Sequence, residues 1–349
     1  MKRILFTGGG SAGHVVPNVA LIEELLSNGE MDVCYMGTDG IEKSIIADWH
    51  IPYYTISCPK LIRSKSMQAW KNNLKIPSTF RSAVKAAQKG LQTLRPDAVF
   101  SKGGYVALPV VVAAHRLKIP CFAHESDLSA GLANKLSARF CQKVFTSFPE
   151  TAKKFKRGVY SGAPIKRSIF LASRAESRLR FQIPFDKKVL LVFGGGSGSV
   201  AINNAVRSQL KTLTKTCLVL HVCGKGNCVE TDEENYRQFE FIADMGGAYA
   251  CADAVVSRAG AGAVFEVLAL KKPTLCVPLQ SQSRGDQAQN ANYFQKKGLC
   301  RVLPENQLNE LSTAVEHLFL DDGLKARLAA SSFPSGNAFI LQEIKKILQ

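Results

Sequence analysis

The chain has 349 residues, of which 46% are hydrophobic, and a formal net charge of +17 at pH 7. Its length exceeds that of most single domains, so two domains are expected, each with enough apolar residues for its own core. The composition excludes a disordered, collagen-like or small disulfide-rich protein.

Strand-like and helical stretches alternate along the whole chain, which is typical of parallel sheets covered by helices. The predicted strands of the first half are 4–7, 32–37, 53–56, 98–101, 121–124 and 143–146, and its helices include 19–27, 79–94 and 109–117. The predicted strands of the second half are 188–193, 218–223, 239–241, 254–257 and 274–277, and its helices are 201–213, 264–270, 287–297 and 337–349. We therefore expect an α/β protein of two Rossmann-like domains, with the boundary near Ala163 and Pro164.

The same glycine-rich turn occurs once in each half. Gly8-Gly9-Gly10-Ser11 follows the first predicted strand, and Gly194-Gly195-Gly196-Ser197 follows the strand 188–193. A glycine-rich turn between a buried strand and a helix presents backbone N–H groups to phosphate. The repetition predicts two Rossmann-like domains with ligands held between them.

The first turn fits two short motifs. Gly8, Gly10 and Gly13 form GxGxxG, the dinucleotide fingerprint, and Asp39 lies near the end of the second strand, where that motif places an acid. An NAD-dependent oxidoreductase is therefore one alternative. The GxSxG pattern around Ser11 is rejected, because a hydrolase nucleophile elbow follows several strands and this turn follows the first.

Candidate functional residues follow three strands of the first domain. His14 ends the first turn, Gly103 and Gly104 follow the strand 98–101, and Glu125 follows the strand 121–124. Because the carboxyl ends of parallel strands meet at one edge, these residues are expected to converge. An imidazole on such a turn can serve as a general base near neutral pH, although a structural histidine is the alternative. Glu125 is either a functional carboxylate or a structural cap.

Two further turns of the second domain carry polar or small residues. Gly260 and Gly262 flank the start of a helix that bears Glu266, so the backbone can approach a diphosphate there and Glu266 can accept hydrogen bonds from a ribose. Asp286 and Gln287 open another helix in a polar cluster that includes Ser283 and Arg284, which suits a sugar. Ordinary helix capping is the alternative for this cluster.

The stretch 60–89 contains eight basic residues and no acid, with apolar residues between them. This pattern favours an anionic membrane surface, while nucleic acid and a plain solvated helix face are the alternatives. The longest apolar run, about 106–114, is too short to span a bilayer, so membrane contact is expected to be peripheral. The ten cysteines form no CxxC pair or metal-ligand spacing, and no secretory signal precedes the first strand, so reduced cytosolic thiols are expected.

Several of these segments, taken in order, resemble the MurG family of bacterial N-acetylglucosaminyltransferases, which form lipid II in peptidoglycan synthesis. The segments that carry the resemblance are Gly9–Pro17, Gly103–Val106, His124-Glu125 with Ala130–Lys135, Gly162–Ile165, Arg258–Glu266 and Asp286-Gln287. The match runs almost from end to end, so it is far more specific than any single motif.

The resemblance implies a GT-B fold, in which two Rossmann-like domains, 1–163 and 164–336, face each other across a cleft and helix 337–349 returns to the first. It implies an inverting transfer of GlcNAc from UDP-GlcNAc to the C4 hydroxyl of undecaprenyl-diphospho-MurNAc-pentapeptide, called lipid I. His14 is the implied base and Glu125 the second catalytic candidate. No cofactor or metal is implied, since UDP-GlcNAc is a substrate.

The resemblance also assigns binding residues. The implied donor-binding residues are Ser11, Ala12, Gly13, Asp127, Lys166, Gly196, Ser197, Ile242, Ala261, Gly262, Ala263, Val264, Phe265, Glu266 and Gln287. The implied acceptor-binding residues are Gly10, Gly103, Gly104, Tyr105 and His124. Departures from the family pattern are Ala12, Asp127, Ala163, Lys166 and Ala259, and they concern the donor diphosphate above all.

Location and partners follow from the same resemblance. The implied location is the cytoplasmic face of the cell membrane, reached through the stretch 60–89. The implied partners are lipid I, the anionic membrane surface and cell-wall synthesis proteins. Nucleic acid is not an implied partner. A related lipid glycosyltransferase, such as a diacylglycerol glucosyltransferase, remains the nearest alternative.

Overall fold

A computed structural model of the chain describes residues 1–60, 73–74, 76–279 and 285–349. The chain divides into two compact units, one formed by residues 1–166 and 335–349 and the other by residues 167–334. Each unit contains one sheet in which every strand pair is parallel, so the expected α/β class is confirmed. Residues 61–72 and 75 of the basic stretch, and Ser283 and Arg284 of the predicted polar cluster, lie outside the described residues.

The first unit is built on a seven-stranded sheet of order β3-β2-β1-β4-β5-β6-β7. Its strands are β1 Arg3–Thr7, β2 Asp32–Gly37, β3 Tyr53–Thr55, β4 Ala98–Ser101, β5 Cys121–Glu125, β6 Lys143–Thr146 and β7 Gly158–Tyr160. Its helices before the second unit are α1 Val16–Asn28, α2 Ile41–Ala47, α3 Ile76–Leu94, α4 Ala107–Arg116, α5 Leu132–Ser137 and α6 Pro149–Ala152.

The second unit contains a six-stranded sheet of order β10-β9-β8-β11-β12-β13. Its strands are β8 Val189–Phe193, β9 Leu218–Val222, β10 Tyr236–Phe239, β11 Ala254–Ser257, β12 Thr274–Cys276 and β13 Arg301–Val302. Its helices are α7 Ser168–Leu171, α8 Arg174–Arg180, α9 Val200–Ser208, α10 Leu210–Thr216, α11 Met245–Cys251, α12 Ala261–Ala269, α13 Asp286–Lys296, α14 Leu311–Leu320 and α15 Asp322–Ala330.

Both faces of the first sheet are buried, which explains why its strands are continuously apolar. Along β1, Ile4 and Phe6 join one core cluster, and Leu5 joins the cluster on the opposite face. Successive side chains of a strand alternate between its two faces, so one short run supplies both cores. The turns after the strands therefore remain the polar part of the unit.

The last helix, α16 Asn337–Leu348, follows the second unit in sequence but packs in the first. Ile340 and Ile344 are fully buried in the core cluster that contains α1. The side-chain amide of Asn337 donates to the carbonyl oxygens of Ala20 at 3.2 Å and Ile165 at 2.9 Å. These contacts join the chain's last helix to α1 and to the segment that leaves the first unit.

The structure differs from the sequence predictions at short elements. The edge strands β7 and β13 were not predicted, because three and two residues carry too little periodic signal. Strand β10 ends at Phe239, where the predicted strand began. The predicted helix 201–213 is two helices separated at Gln209, whose side-chain amide donates to Leu308 O and accepts from Ser312 N, both at 2.8 Å.

Within the described ranges, no helix is long and apolar enough to cross a membrane. All ten cysteines are free thiols.

Candidate active site

Three turns meet at the carboxyl edge of the first sheet, after β1, β4 and β5. A Cβ atom built on Gly104 would lie 2.5 Å from the Gly9 carbonyl oxygen and 3.2 Å from Nδ1 of His14. A Cβ atom on Gly103 would lie 2.9 Å from Oδ1 of Asn134, at the start of the helix that follows the third turn. The parallel topology thus brings together residues as far apart in sequence as Gly9 and Gly104.

His14 ends a short 3-10 helix that leaves the first glycine turn and is half-buried. Its Nδ1 lies 3.0 Å from the Ser11 hydroxyl oxygen, so this hydroxyl holds the ring. If Nδ1 carries the proton and donates to Ser11, Nε2 has a lone pair and can accept a proton. The pair therefore resembles the base and orienting group of a general-base device.

Tyr105, in the turn after β4, packs against the first glycine turn. A Cβ atom on Gly10 would lie 2.5 Å from Cε1 of Tyr105, and Gly10 has a φ of +81°, so only glycine fits this position. The ammonium group of Lys60 lies 6.0 Å from the centre of the Tyr105 ring. The predicted acceptor-binding residues Gly10, Gly104 and Tyr105 are therefore neighbours.

Glu125 is almost fully buried, at 4% exposure, and its carboxylate binds the turn that follows it. Oε1 accepts from the Asp127 amide at 3.1 Å, and Oε2 accepts from the Gly131 amide at 2.8 Å and the Asn134 side chain at 2.9 Å. These donors occupy the oxygen atoms through which a base would reach substrate. The geometry favours the structural alternative, in which Glu125 positions the third turn.

The side chain of His124, predicted to bind the acceptor, is fully buried. Its Nε2 lies 3.4 Å from both the Gly162 carbonyl oxygen and the Ser147 hydroxyl, so Nε2 carries the proton. Burial and the nearby Lys102 charge hold the pKa of His124 well below its ordinary value. A neutral, buried imidazole offers no positive charge to an acceptor diphosphate. Any direct contact of the acceptor with His124 would therefore use its backbone.

Lys102 is a site candidate that the sequence analysis did not select. It immediately precedes Gly103 and has 2% exposure. Burial lowers the pKa of Lys102, while the carboxylates of Glu125 and Asp127 act in the opposite direction. A buried amine therefore lies beside the turn after β4, at the edge where an anionic ligand is expected.

The second unit has an open helix N-terminus after β11. Helix α12 begins after Gly260 without a side-chain cap, which leaves the first N–H groups of the helix for another partner. A Cβ atom built on Gly260 or Gly262 would find no described atom within 4 Å. The amides and the helix dipole together suit the diphosphate of a nucleotide.

Glu266 lies one turn into α12 and is half-buried. The buried Tyr249 hydroxyl, on α11, donates to Oε2 of Glu266 at 2.8 Å. Burial and the Glu266 carboxylate raise the pKa of Tyr249 well above its ordinary value, so the hydroxyl stays protonated as a donor. Tyr249 is a positioning residue that no local sequence motif marks.

The second glycine turn exposes Gly196 and Ser197 and leads into α9. Ser199 caps α9 by accepting from the Ile202 amide at 3.4 Å, and its hydroxyl also accepts from Arg258 at 2.8 Å. The Arg258 guanidinium donates as well to the Val277 carbonyl oxygen at 3.2 Å and forms an ion pair with Glu305. Arg258 therefore ties three chain segments together and is engaged by protein atoms.

The other predicted donor residues fall into two groups. Ser11, Ala12, Gly13, Asp127 and Lys166 belong to the first unit, and the rest belong to the second.

Within the second unit, Ile242, Val264 and Phe265 are buried, so they can meet a ligand only through the backbone, while Ala261 and Ala263 share the first turn of α12. The side chain of Gln287 is half-buried, and its Oε1 accepts from the Leu279 amide at 2.9 Å. Among the residues described, no cluster of three His, Cys, Asp or Glu side chains has the arrangement of a metal site.

Comparison with known families matches both halves of the chain. Residues 4–146 match the glycosyltransferase family 28 N-terminal domain, and residues 189–344 match its C-terminal domain. A Clostridium botulinum UDP-N-acetylglucosamine–N-acetylmuramyl-(pentapeptide) pyrophosphoryl-undecaprenol N-acetylglucosamine transferase is 44% identical over 313 residues, which are 88% of this chain and 86% of that protein. The chain belongs to the MurG family of glycosyltransferase family 28.

Further comparisons agree with this membership. The Shouchella clausii transferase of the same name is 40% identical to this MurG-family chain, with all of both chains covered. The crystal structure of Acinetobacter baumannii MurG has a TM-score of 0.74 and 24% identity, and covers 99% of this chain and 100% of that one. The S. aureus MnaA–UDP structure has a TM-score of 0.71 at 15% identity, covering 100% and 97%. These likenesses show the GT-B fold, and the expectation of a glycosyltransferase is confirmed.

Proposed function

We propose that the protein transfers GlcNAc from UDP-GlcNAc to the C4 hydroxyl of undecaprenyl-diphospho-MurNAc-pentapeptide and so forms lipid II. The observation that carries the proposal is that the two units contain different functional groups. The first has a held imidazole among three converging turns, and the second has an uncapped helix N-terminus followed by a positioned carboxylate. The transferase activity named for relatives at 40–44% identity supports the same reaction.

The first unit binds the acceptor. Its turn residues Gly9 and Gly10 lie beside Gly104 and Tyr105, and the buried Lys102 immediately precedes Gly103. The lipid-linked diphosphate is the anionic part of the acceptor, and the backbone amides of the turn after β4 suit such a group. The sugar hydroxyl that reacts is then placed near His14.

The second unit binds the donor. The diphosphate of UDP-GlcNAc meets the N-terminal amides of α12 around Gly262 and the second glycine turn at Ser197. Glu266, held by Tyr249, accepts hydrogen bonds from the ribose hydroxyls. The backbone at Ile242 meets the uracil, and Gln287 meets the hydroxyls of GlcNAc.

His14 acts as the general base. The acceptor oxygen forms its new bond to the anomeric carbon of GlcNAc as the bond from that carbon to the UDP oxygen breaks, which inverts the configuration. Nε2 of His14 takes the proton that the hydroxyl loses, and the resulting imidazolium donates from Nδ1 to Ser11. Negative charge grows on the departing UDP, where the preorganised amides of α12 stabilise it without reorganisation.

Substrate comparison tests the proposal directly. UDP-GlcNAc and UDP-glucose are each offered with lipid I and with diacylglycerol, and the products are separated. We expect transfer only for UDP-GlcNAc with lipid I. Preference for diacylglycerol would support the related lipid glycosyltransferase instead, and binding of NAD without transfer would support the oxidoreductase.

The donor assignment predicts that Gly262→Ala weakens UDP-GlcNAc binding without destabilising the fold. The added Cβ meets no described protein atom within 4 Å, but it enters the space assigned to the diphosphate. Overlap typically costs about 1–3 kcal/mol, which corresponds to about a 5- to 150-fold increase in Kd for UDP. Titration calorimetry measures the Kd, and the thermal midpoint should stay the same or rise.

Gly323→Ala is the matched control for this prediction. Gly323, like Gly262, is the second residue of a nine-residue helix, and its nearest neighbour is the flexible end of Arg327 at 3.2 Å. The same gain in helix propensity is expected there with no change in UDP affinity. Unchanged UDP binding by Gly262→Ala would contradict the placement of the diphosphate.

We also propose that the first unit docks on the cytoplasmic face of the membrane as a peripheral protein. Within the described part of the basic stretch, Arg81, Lys85 and Lys89 are exposed at a spacing of four along α3, while Val84 and Leu91 are buried on its other side. Residues at this spacing share one helix face, which suits an anionic surface. Nearby Leu74 is 60% exposed.

Neutralising this face should reduce membrane binding. The variant with Arg81, Lys85 and Lys89 replaced by glutamine is expected to lose about 1 kcal/mol of vesicle affinity for each residue. Co-sedimentation with phosphatidylglycerol vesicles at two salt concentrations measures the loss. Replacing the exposed Lys211, Lys215 and Lys225 of the second unit by glutamine is the control, and equal losses in the two variants would contradict the assignment to α3.

A further inference from the structure

A buried carboxylate outside the predicted site binds the first glycine turn. Glu42 lies in the first turn of α2 and has no exposed surface. It follows β2 by five residues, close to Asp39, which the dinucleotide motif had singled out. Neither residue carries a role in the transfer reaction described above.

Both oxygens of Glu42 are engaged. Oε2 accepts from the Gly10 amide at 3.1 Å, and Oε1 accepts from the Thr38 amide at 3.0 Å and from the Thr38 hydroxyl. The Tyr53 hydroxyl donates to the Thr38 carbonyl oxygen at 2.6 Å. This hydrogen bond fixes Thr38, which in turn binds Glu42. Burial by itself would raise the pKa of Glu42, but the hydrogen bonds outweigh it and hold the pKa below its ordinary value.

The Gly10 amide therefore faces a protein anion. A Cβ atom on Gly9 would lie 2.5 Å from an oxygen of Glu42, so the carboxylate lies directly against the Gly9-Gly10 peptide. A phosphate at this amide would have to displace a buried hydrogen-bonded charge and meet its repulsion. The carboxylate takes the place that a dinucleotide phosphate would take in a GxGxxG turn.

The hydrogen bond between Glu42 and Gly10 lies one residue from the group that holds His14, the proposed base. Gly10 lies between the Glu42 carboxylate and the Tyr105 ring, and the next residue, Ser11, holds Nδ1 of His14 at 3.0 Å. We infer that Glu42 is a positioning and specificity-determining residue, whose carboxylate fixes the first glycine turn for His14 and excludes free phosphate compounds from it. The inference rests on the proposed transfer reaction for its first part and on binding alone for its second.

Kinetics of Glu42→Gln and Glu42→Ala with lipid I and UDP-GlcNAc test the first part. A misplaced reacting group costs up to about 100-fold in rate, so kcat should fall by about 10-fold in Glu42→Gln and by more in Glu42→Ala, with KM for UDP-GlcNAc unchanged. Asp39→Asn is the control, because Asp39 is exposed and pairs with Lys43 at its own surface. Its kcat should equal that of the wild type.

Inhibition by inorganic pyrophosphate tests the second part. Removal of the carboxylate in Glu42→Ala should lower the inhibition constant by about 10-fold, and Asp39→Asn should leave it unchanged. If Glu42→Ala does not fold, Glu42→Gln replaces it, since it also removes the negative charge at similar volume.

Three results would overturn the inference. These are an unchanged kcat in the Glu42 variants, equal pyrophosphate inhibition in variant and wild type, and a kcat loss that merely follows the thermal midpoint. If the wild type itself fails to use lipid I, the proposed function fails instead, and the Kd for pyrophosphate, measured by titration calorimetry on the same variants, still tests exclusion.

Discussion

Replacing His14 by alanine should lower kcat for GlcNAc transfer by about 100- to 10,000-fold, the range that general-base catalysis contributes. The Kd for UDP-GlcNAc should stay the same, because the donor contacts proposed for the second unit do not involve this ring. The expected result depends on a specific arrangement, in which Ser11 holds Nδ1 and Gly104 approaches the ring closely.

The measurement is a kcat and KM determination for both substrates, with titration calorimetry for UDP-GlcNAc. His317→Ala is the control, since His317 is exposed on α14 of the second unit. An unchanged kcat with a raised KM for lipid I would show that His14 binds the acceptor. Ser11→Ala should cause a smaller fall in kcat, because it removes the orienting contact and keeps the base.

Replacing Glu125 should destabilise the first unit and reduce activity together. Glu125→Ala leaves three buried or partly buried donors without their acceptor, and we expect a loss of about 2–4 kcal/mol in the free energy of unfolding. Glu125→Gln keeps one carbonyl oxygen but turns an NH₂ group toward a donor, so its loss should be about 1–3 kcal/mol.

Urea unfolding measures the stability, and kcat is taken at a temperature where the variants remain folded. Glu150→Gln is the control, because Glu150 is exposed in the same unit. A large loss of kcat with no change in stability would contradict the structural role and return Glu125 to the list of direct catalysts. The two outcomes separate the alternatives that the sequence left open.

The glycine turns illustrate how far a motif carries. GxGxxG predicted a strand, a tight turn and a helix, and all three are present around Gly8, Gly10 and Gly13. The motif also admitted a dinucleotide, with Asp39 as the ribose acid. In the structure Asp39 is exposed and pairs with Lys43, while Glu42 occupies the Gly10 amide, so the turn is poorly suited to an NAD diphosphate.

The second unit shows the same limit. Small residues before α12 and Glu266 within it were apparent from the sequence, because both belong to one local segment. Tyr249 lies 17 residues before Glu266, and Ser199 lies 59 residues before Arg258, yet each pair is hydrogen-bonded. No periodic pattern or capping rule connects such pairs.

The sequence by itself determined the α/β class, most strand positions, the turns that carry the chemistry and, through resemblance, the family. Those features depend on local hydrophobic periodicity and on contiguous motifs. The tertiary structure alone decided which polar groups are already engaged: it occupied Glu125 and Arg258, buried His124 and Lys102, and placed Glu42 against the first turn. Burial and hydrogen-bond partners arise from residues distant in sequence, and they determine whether a candidate side chain faces a ligand or holds the fold.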